Sequence, residues 1–206
     1  MHFSVSSEHT QHFNHHSEIE FENLFNSSQL KILLTTLSLM KPTPPNLKWG
    51  LYAWRKEASL KPFMTSASFG KIAGQLKNCS DIRFAYSQYL GPDCYSDKTT
   101  LLYRKSCIKE LLIGLCICLE SNETIESPFF PKKAGDGLFF NIDDDFYLRF
   151  PSVKGKYLFI FYCDIKARFF IQEESNEVQQ AFRTLGYSNG DFLNNKLNPS
   201  YHRIHS

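Results

Sequence analysis

The run KYLFIFYCD, Lys156 to Asp164, puts Leu158, Ile160 and Tyr162 on one side of an extended chain and Phe159, Phe161 and Cys163 on the other, and neither set is polar. This pattern predicts a central strand with neighbours on both edges and cover on both faces. Strand-like pieces at 138–140, 145–150 and 168–172 flank it, joined by links of hairpin length, so an antiparallel meander follows. A helix over about 174–185 closes this half.

The N-terminal part has a different texture. Ser17 and Glu20 have the spacing of a capping box. Apolar residues recur at Ile19, Phe21, Leu24 and Phe25, and a second start at Ser27–Ser28 opens QLKILLTTLSLM. KPTPP, Lys41 to Pro45, ends that helix, because proline lacks the amide donor and restricts its predecessor. WRKEASLK, stopping at Pro62, then ASFGKIAGQLKN and SDIRFAYSQYL read as short helices. The strongest predicted helix spans about Lys98 to Leu119, where Leu101, Leu102, Ile108, Leu111, Leu112, Leu115 and Leu119 follow the helical period.

The fold class expected from these elements is α+β: a helical N-terminal half packed on a small, mainly antiparallel sheet of about four strands, with a C-terminal helix. Residues 1–16 read as a flexible, His-rich tail. Residues 17–190 form one domain, helical over 17–119 and sheet plus helix over 137–186, and 191–206 is an irregular tail. The helix around Leu111 and Leu115 is expected to cover one face of the central strand.

Composition changes this picture little. The chain has 206 residues, 42% apolar and 21% charged, which suits one globular domain. The 19 Phe and 10 Tyr require that most rings be buried. No signal-peptide pattern and no apolar run of membrane-spanning length is present, so a soluble cytoplasmic protein with reduced thiols is expected, without integral membrane association.

Charge is unevenly spread. Residues 41–109 carry twelve Lys/Arg against four Asp/Glu, a net +8, while the flanking segments are each −3. Basic residues interleaved with aromatics suit a polyanion, through phosphate contacts and base stacking. The candidate residues are Lys48, Arg55, Lys56, Lys61, Lys71 and Lys77, with Trp49 and Trp54 as stacking platforms.

Catalytic chemistry has weaker footing. Asp143, Asp144 and Asp145 are adjacent, and Asp143 and Asp145 would share a strand face suited to metal-dependent phosphoryl chemistry. The same NIDD run is turn chemistry, which makes it a hairpin tip. Cys94 follows a Gly-Pro break and precedes a predicted helix, where a thiol could be activated. Its base would have to be His202 or His205, in the last five residues. Cys116 and Cys118, if helical, point about 200° apart and cannot share a metal. The run HTQHFNHH could chelate a transition metal if helical. KEASLK, Lys56 to Lys61, resembles the K-E-A-x-x-K signature of phosphopantetheinyl transferases, but that family needs an upstream aspartate ligand, and the first Asp of this chain is Asp81.

The function expected is a non-catalytic binding or regulatory protein that engages an anionic partner, nucleic acid or an acidic protein surface, with no small-molecule cofactor. A protein-interaction module, such as a pathogen or mobile-element factor, is one alternative. A phosphotransferase or nuclease at Asp143–Asp145, or a thiol hydrolase at Cys94, is the other.

Overall fold

The computed structural model describes residues 4–39, 53–90, 107–120, 130–142, 155–173 and 177–202. Six strands form one sheet: β1 Glu18–Phe21, β2 Asp81–Leu90, β3 Leu111–Glu120, β4 Gly137–Asn141, β5 Lys156–Asp164 and β6 Ser200–His202. Their order is β1-β4-β3-β5-β2-β6, and every pairing is antiparallel. The helices are α1 Ser7–His16, α2 Ser27–Leu39, α3 Ala53–Lys56, α4 Lys61–Met64, α5 Ala67–Leu76 and α6 Glu177–Thr184, with a 3-10 turn at Ala58–Leu60.

This corrects the expected fold class. The architecture is a six-stranded antiparallel sheet with helices packed on it, not a helical half set on four strands. SDIRFAYSQYL and LLIGLCICL, both read as helices, are β2 and β3. Both are buried along nearly their whole length, so neither has the polar side that would separate a period of two from a helical one. Leu111 and Leu115 therefore do not cover β5; they lie in the strand paired beside it.

β5 is interior to the sheet, between β3 and β2, and Tyr157 to Cys163 are all fully buried. One face carries the helices. Ser87 of β2 donates to Met64 Sδ of α4 (3.5 Å), and Tyr201 of β6 packs so close to α5 that a Cβ on Gly70 would lie 2.2 Å from its ring. The absent side chain at Gly70 is what lets that edge strand approach the helix. The second face carries an aromatic cluster: Phe140, Phe159 and Phe161 meet at 6.3–6.5 Å between centroids, and Tyr86 lies 4.7 Å from Phe161.

Both chain ends join this body. Residues 7–16 of the expected tail are α1, opened by a reciprocal cap in which the His9 amide donates to Ser6 Oγ and the Ser6 amide donates to His9 Nδ1. Ser17, read as a helix start, is the left-handed residue that ends α1 (φ 62°). At the other end, β6 pairs with β2, and the fully buried Asn198 donates to the carbonyls of Phe84 (3.1 Å) and Ala85 (2.6 Å). Those carbonyls lie where the β2–β5 register shifts, so Asn198 satisfies groups the ladder leaves open. Asn198 also accepts from Tyr187 Oη, and its carbonyl accepts from Arg83. No helix among the described residues is long and apolar enough to cross a membrane.

Candidate functional site

The basic segment is broken into short pieces rather than one helical face. Pro62 sits in the first turn of α4, so it starts a helix where it was expected to stop one. Trp54 is 9% exposed, edge-on to Phe84 at 6.4 Å, with the Arg55 guanidinium 4.5 Å and Lys61 Nζ 5.8 Å from its ring centre. A ring held this way offers little free face to a base.

The cations serve different neighbours. Arg55 donates to the Leu197 carbonyl (2.6 Å), which ties α3 to the C-terminal segment. Lys77 donates to Asn141 Oδ1 on β4 (2.7 Å). Lys56, Lys61 and Lys71 are exposed. Lys71 lines an open cavity of about 200 Å³ with Gln75, Cys79, Ser80, Tyr201 and His202. In the KEASLK run, Glu57 accepts from the Ser59 amide and hydroxyl as the cap of the 3-10 turn. Lys48, Trp49, Cys94, Asp143, Asp144 and Asp145 lie outside the described residues.

The geometry of Cys116 and Cys118 is also corrected. In strand β3 they share a face, the second face of the sheet, opposite Phe159 and Tyr157 of β5. Burial pushes the Cys116 thiol well up and the Cys118 thiol up to about 12, with Asp136 adding to the latter. Neutral buried thiols of this kind are poor nucleophiles and poor ligands.

Histidine is confined to the two ends of the chain. It occurs at positions 2, 9, 12, 15, 16, 202 and 205, and nowhere from 17 to 201. His9, His12, His15 and His16 belong to α1, which packs against edge strand β1 and helix α5, while His2 and His205 lie outside the described residues. His202 is on the opposite edge strand, β6, with its Nδ1 hydrogen-bonded to the Asp81 carboxylate. Among the described residues, no three His, Cys, Asp or Glu side chains are gathered where they could hold a metal ion.

No family model and no curated protein matches the chain. Solved structures do. SnoK, a non-heme alpha-ketoglutarate-dependent carbocyclase from nogalamycin biosynthesis, superposes with a TM-score of 0.63 over 96% of both chains at 13% identity. The epimerase SnoN, solved with Fe3+, alpha-ketoglutarate and nogalamycin RO, gives 0.62 over 93% of this chain and 96% of its own, at 9% identity. CT296 from Chlamydia trachomatis gives 0.51 over 80% of this chain and 98% of its own, at 18% identity. The fold resembles that of non-heme alpha-ketoglutarate-dependent enzymes.

Among the described residues, no group of side chains fits the iron of such enzymes. A non-heme iron site of this class takes two histidines and one carboxylate on adjacent positions of the metal. The described histidines stand on α1, next to β1, and at the β6 edge. The sheet between them carries none. That absence was legible in the sequence as a count, but its meaning depends on the strand order.

Proposed function

We propose that the protein is a binding protein for an anionic partner, built on a sheet of the alpha-ketoglutarate-enzyme type without imidazole-held iron on that sheet. The observation that carries the reading is the lack of any histidine from 17 to 201. A scaffold that lacks those ligands keeps its value as a rigid platform for recognition. The net +8 of residues 41–109 supports an anionic partner, and exposed Lys56, Lys61 and Lys71 supply phosphate-contacting charge. Nucleic acid is the partner class that fits a run of cations on short helices. Contact through charge, rather than through Trp54 stacking, is the mode in keeping with that buried ring.

Fluorescence anisotropy with labelled single- and double-stranded oligonucleotides tests this. Binding should weaken steeply between about 50 and about 200 mM salt, and the triple variant Lys56→Glu, Lys61→Glu, Lys71→Glu should weaken it further. Salt-independent binding, or a triple variant that binds like the parent, overturns the reading.

A second reading, an enzyme, is favoured by the match with SnoK over 96% of both chains. It requires a ligand set other than two sheet histidines and a carboxylate. Iron-dependent binding of alpha-ketoglutarate separates the two readings.

A further inference from the structure

We propose that His12 and His16 chelate one divalent transition-metal ion on the solvent side of α1. The two residues are four apart in a helix, the spacing that places two imidazoles on one face for a shared ion. Their ring centroids are 4.3 Å apart with 35° between planes. Both are exposed, so an ion reaches them without any part of the fold opening.

The helix that carries them is fixed in three ways. The Ser6–His9 cap closes its first turn, Ser17 ends it with an amide bond to the Phe13 carbonyl (2.8 Å), and Phe13, 2% exposed, anchors its inner side in the core. The pair is therefore held on a defined surface, and little ordering entropy is lost on binding.

The neighbouring histidines have other tasks. His9 is engaged in the cap, and its ring packs on Phe21 at 5.5 Å. His15 meets His16 edge-on at 4.7 Å, on the flank of the face that His12 and His16 share. Glu18 is close enough to His12 to interact with it electrostatically, which adds negative potential beside the pair. The site has two protein ligands, and water completes the shell. By the usual order of divalent affinities Cu2+ binds more tightly than Zn2+. This site lies at the β1 edge, and it does not depend on the anionic-partner reading.

Calorimetric titration of Cu2+ and Zn2+ into the untagged full chain near neutral pH tests the proposal. One ion per chain is expected, weakened about tenfold or more by His12→Ala and by His16→Ala. His15→Ala and His202→Ala should stay within about threefold of the parent. Zinc should raise the melting temperature of the parent and not of either ligand variant. His12→Gln and His16→Gln, which keep helix propensity, replace the alanine variants if circular dichroism shows α1 loosened. No stoichiometric binding by the parent, equal binding by the His12/His16 double variant, or an equal loss in His15→Ala overturns it.

Discussion

Replacing Phe161 with alanine puts the architecture under the most direct stress. The ring is fully buried at the centre of the second face, 4.7 Å from Tyr86 of β2, 6.3 Å from Phe140 of β4 and 6.3 Å from Phe159 of its own strand. Truncation of a buried Phe costs about 3–5 kcal/mol, part of it lost transfer energy and part the cavity left behind. The cavity part should be large here. The residue opposite on β3 is Gly114, which has no side chain to move into the space. Three rings also lose a partner, and each aromatic pair contributes about 0.5–1.5 kcal/mol beyond its area. The expected loss is therefore in the upper part of the range, about 4–5 kcal/mol. At roughly 2–4 °C per kcal/mol for a chain of this size, the melting temperature should fall by about 8–20 °C. Urea denaturation followed by fluorescence or circular dichroism gives the free energy directly. Ile171→Ala, at a residue 48% exposed, serves as the control and should stay within about 0.5 kcal/mol of the parent. A Phe161→Ala loss below about 1 kcal/mol would refute the placement of this ring in a packed aromatic layer drawn from β2, β4 and β5.

Three further outcomes follow from the same packing. Gly114→Val should cost about 1–3 kcal/mol by overpacking, because a Cβ there would lie 2.2 Å from the Phe140 ring; pairing it with Phe140→Leu should recover part of the loss in a denaturation series. Asn198→Leu should cost about 2–4 kcal/mol in the same assay, since it removes the bonds its amide makes to the Phe84 and Ala85 carbonyls and the acceptor of the Tyr187 hydroxyl; a neutral result would mean the C-terminal segment is not docked on β2. Burial raises the pKa of the Cys107, Cys116, Cys118 and Cys163 thiols, so these four should label with a thiol reagent at about pH 8 only after unfolding. Because their native values lie above the unfolded one, the native state holds these protons longer, and stability should fall as pH rises above about 8.5.

The sequence was most readable where burial and local signals agree. β5 could be read because both of its faces are apolar over seven residues, too many for a half-exposed strand. α2 and α5 could be read from apolar spacing, and the Gly70 that weakens α5 locally turned out to serve a contact with Tyr201. β2 and β3 could not be read, because what makes them strands is their pairing with β5 along both of its edges, a non-local fact. α1 was hidden by its polar composition and by a cap that uses His9 where the usual box has Glu or Gln. The Ser17–Glu20 spacing matched that box and misled, since Glu18–Phe21 is an edge strand. The cysteine pair was misjudged as a consequence of the β3 error, while the distribution of histidines was plain from the start.

The sheet resembles those of alpha-ketoglutarate-dependent enzymes, yet its strands β1 to β5 carry no histidine to hold iron. The most direct measurement is anaerobic calorimetric titration of alpha-ketoglutarate, with and without Fe2+, into the full chain carrying His12→Ala and His16→Ala, so that the surface pair does not contribute. No iron-dependent binding of alpha-ketoglutarate is expected. Stoichiometric binding that appears only with Fe2+ would contradict that expectation and would establish an iron site built from other ligands.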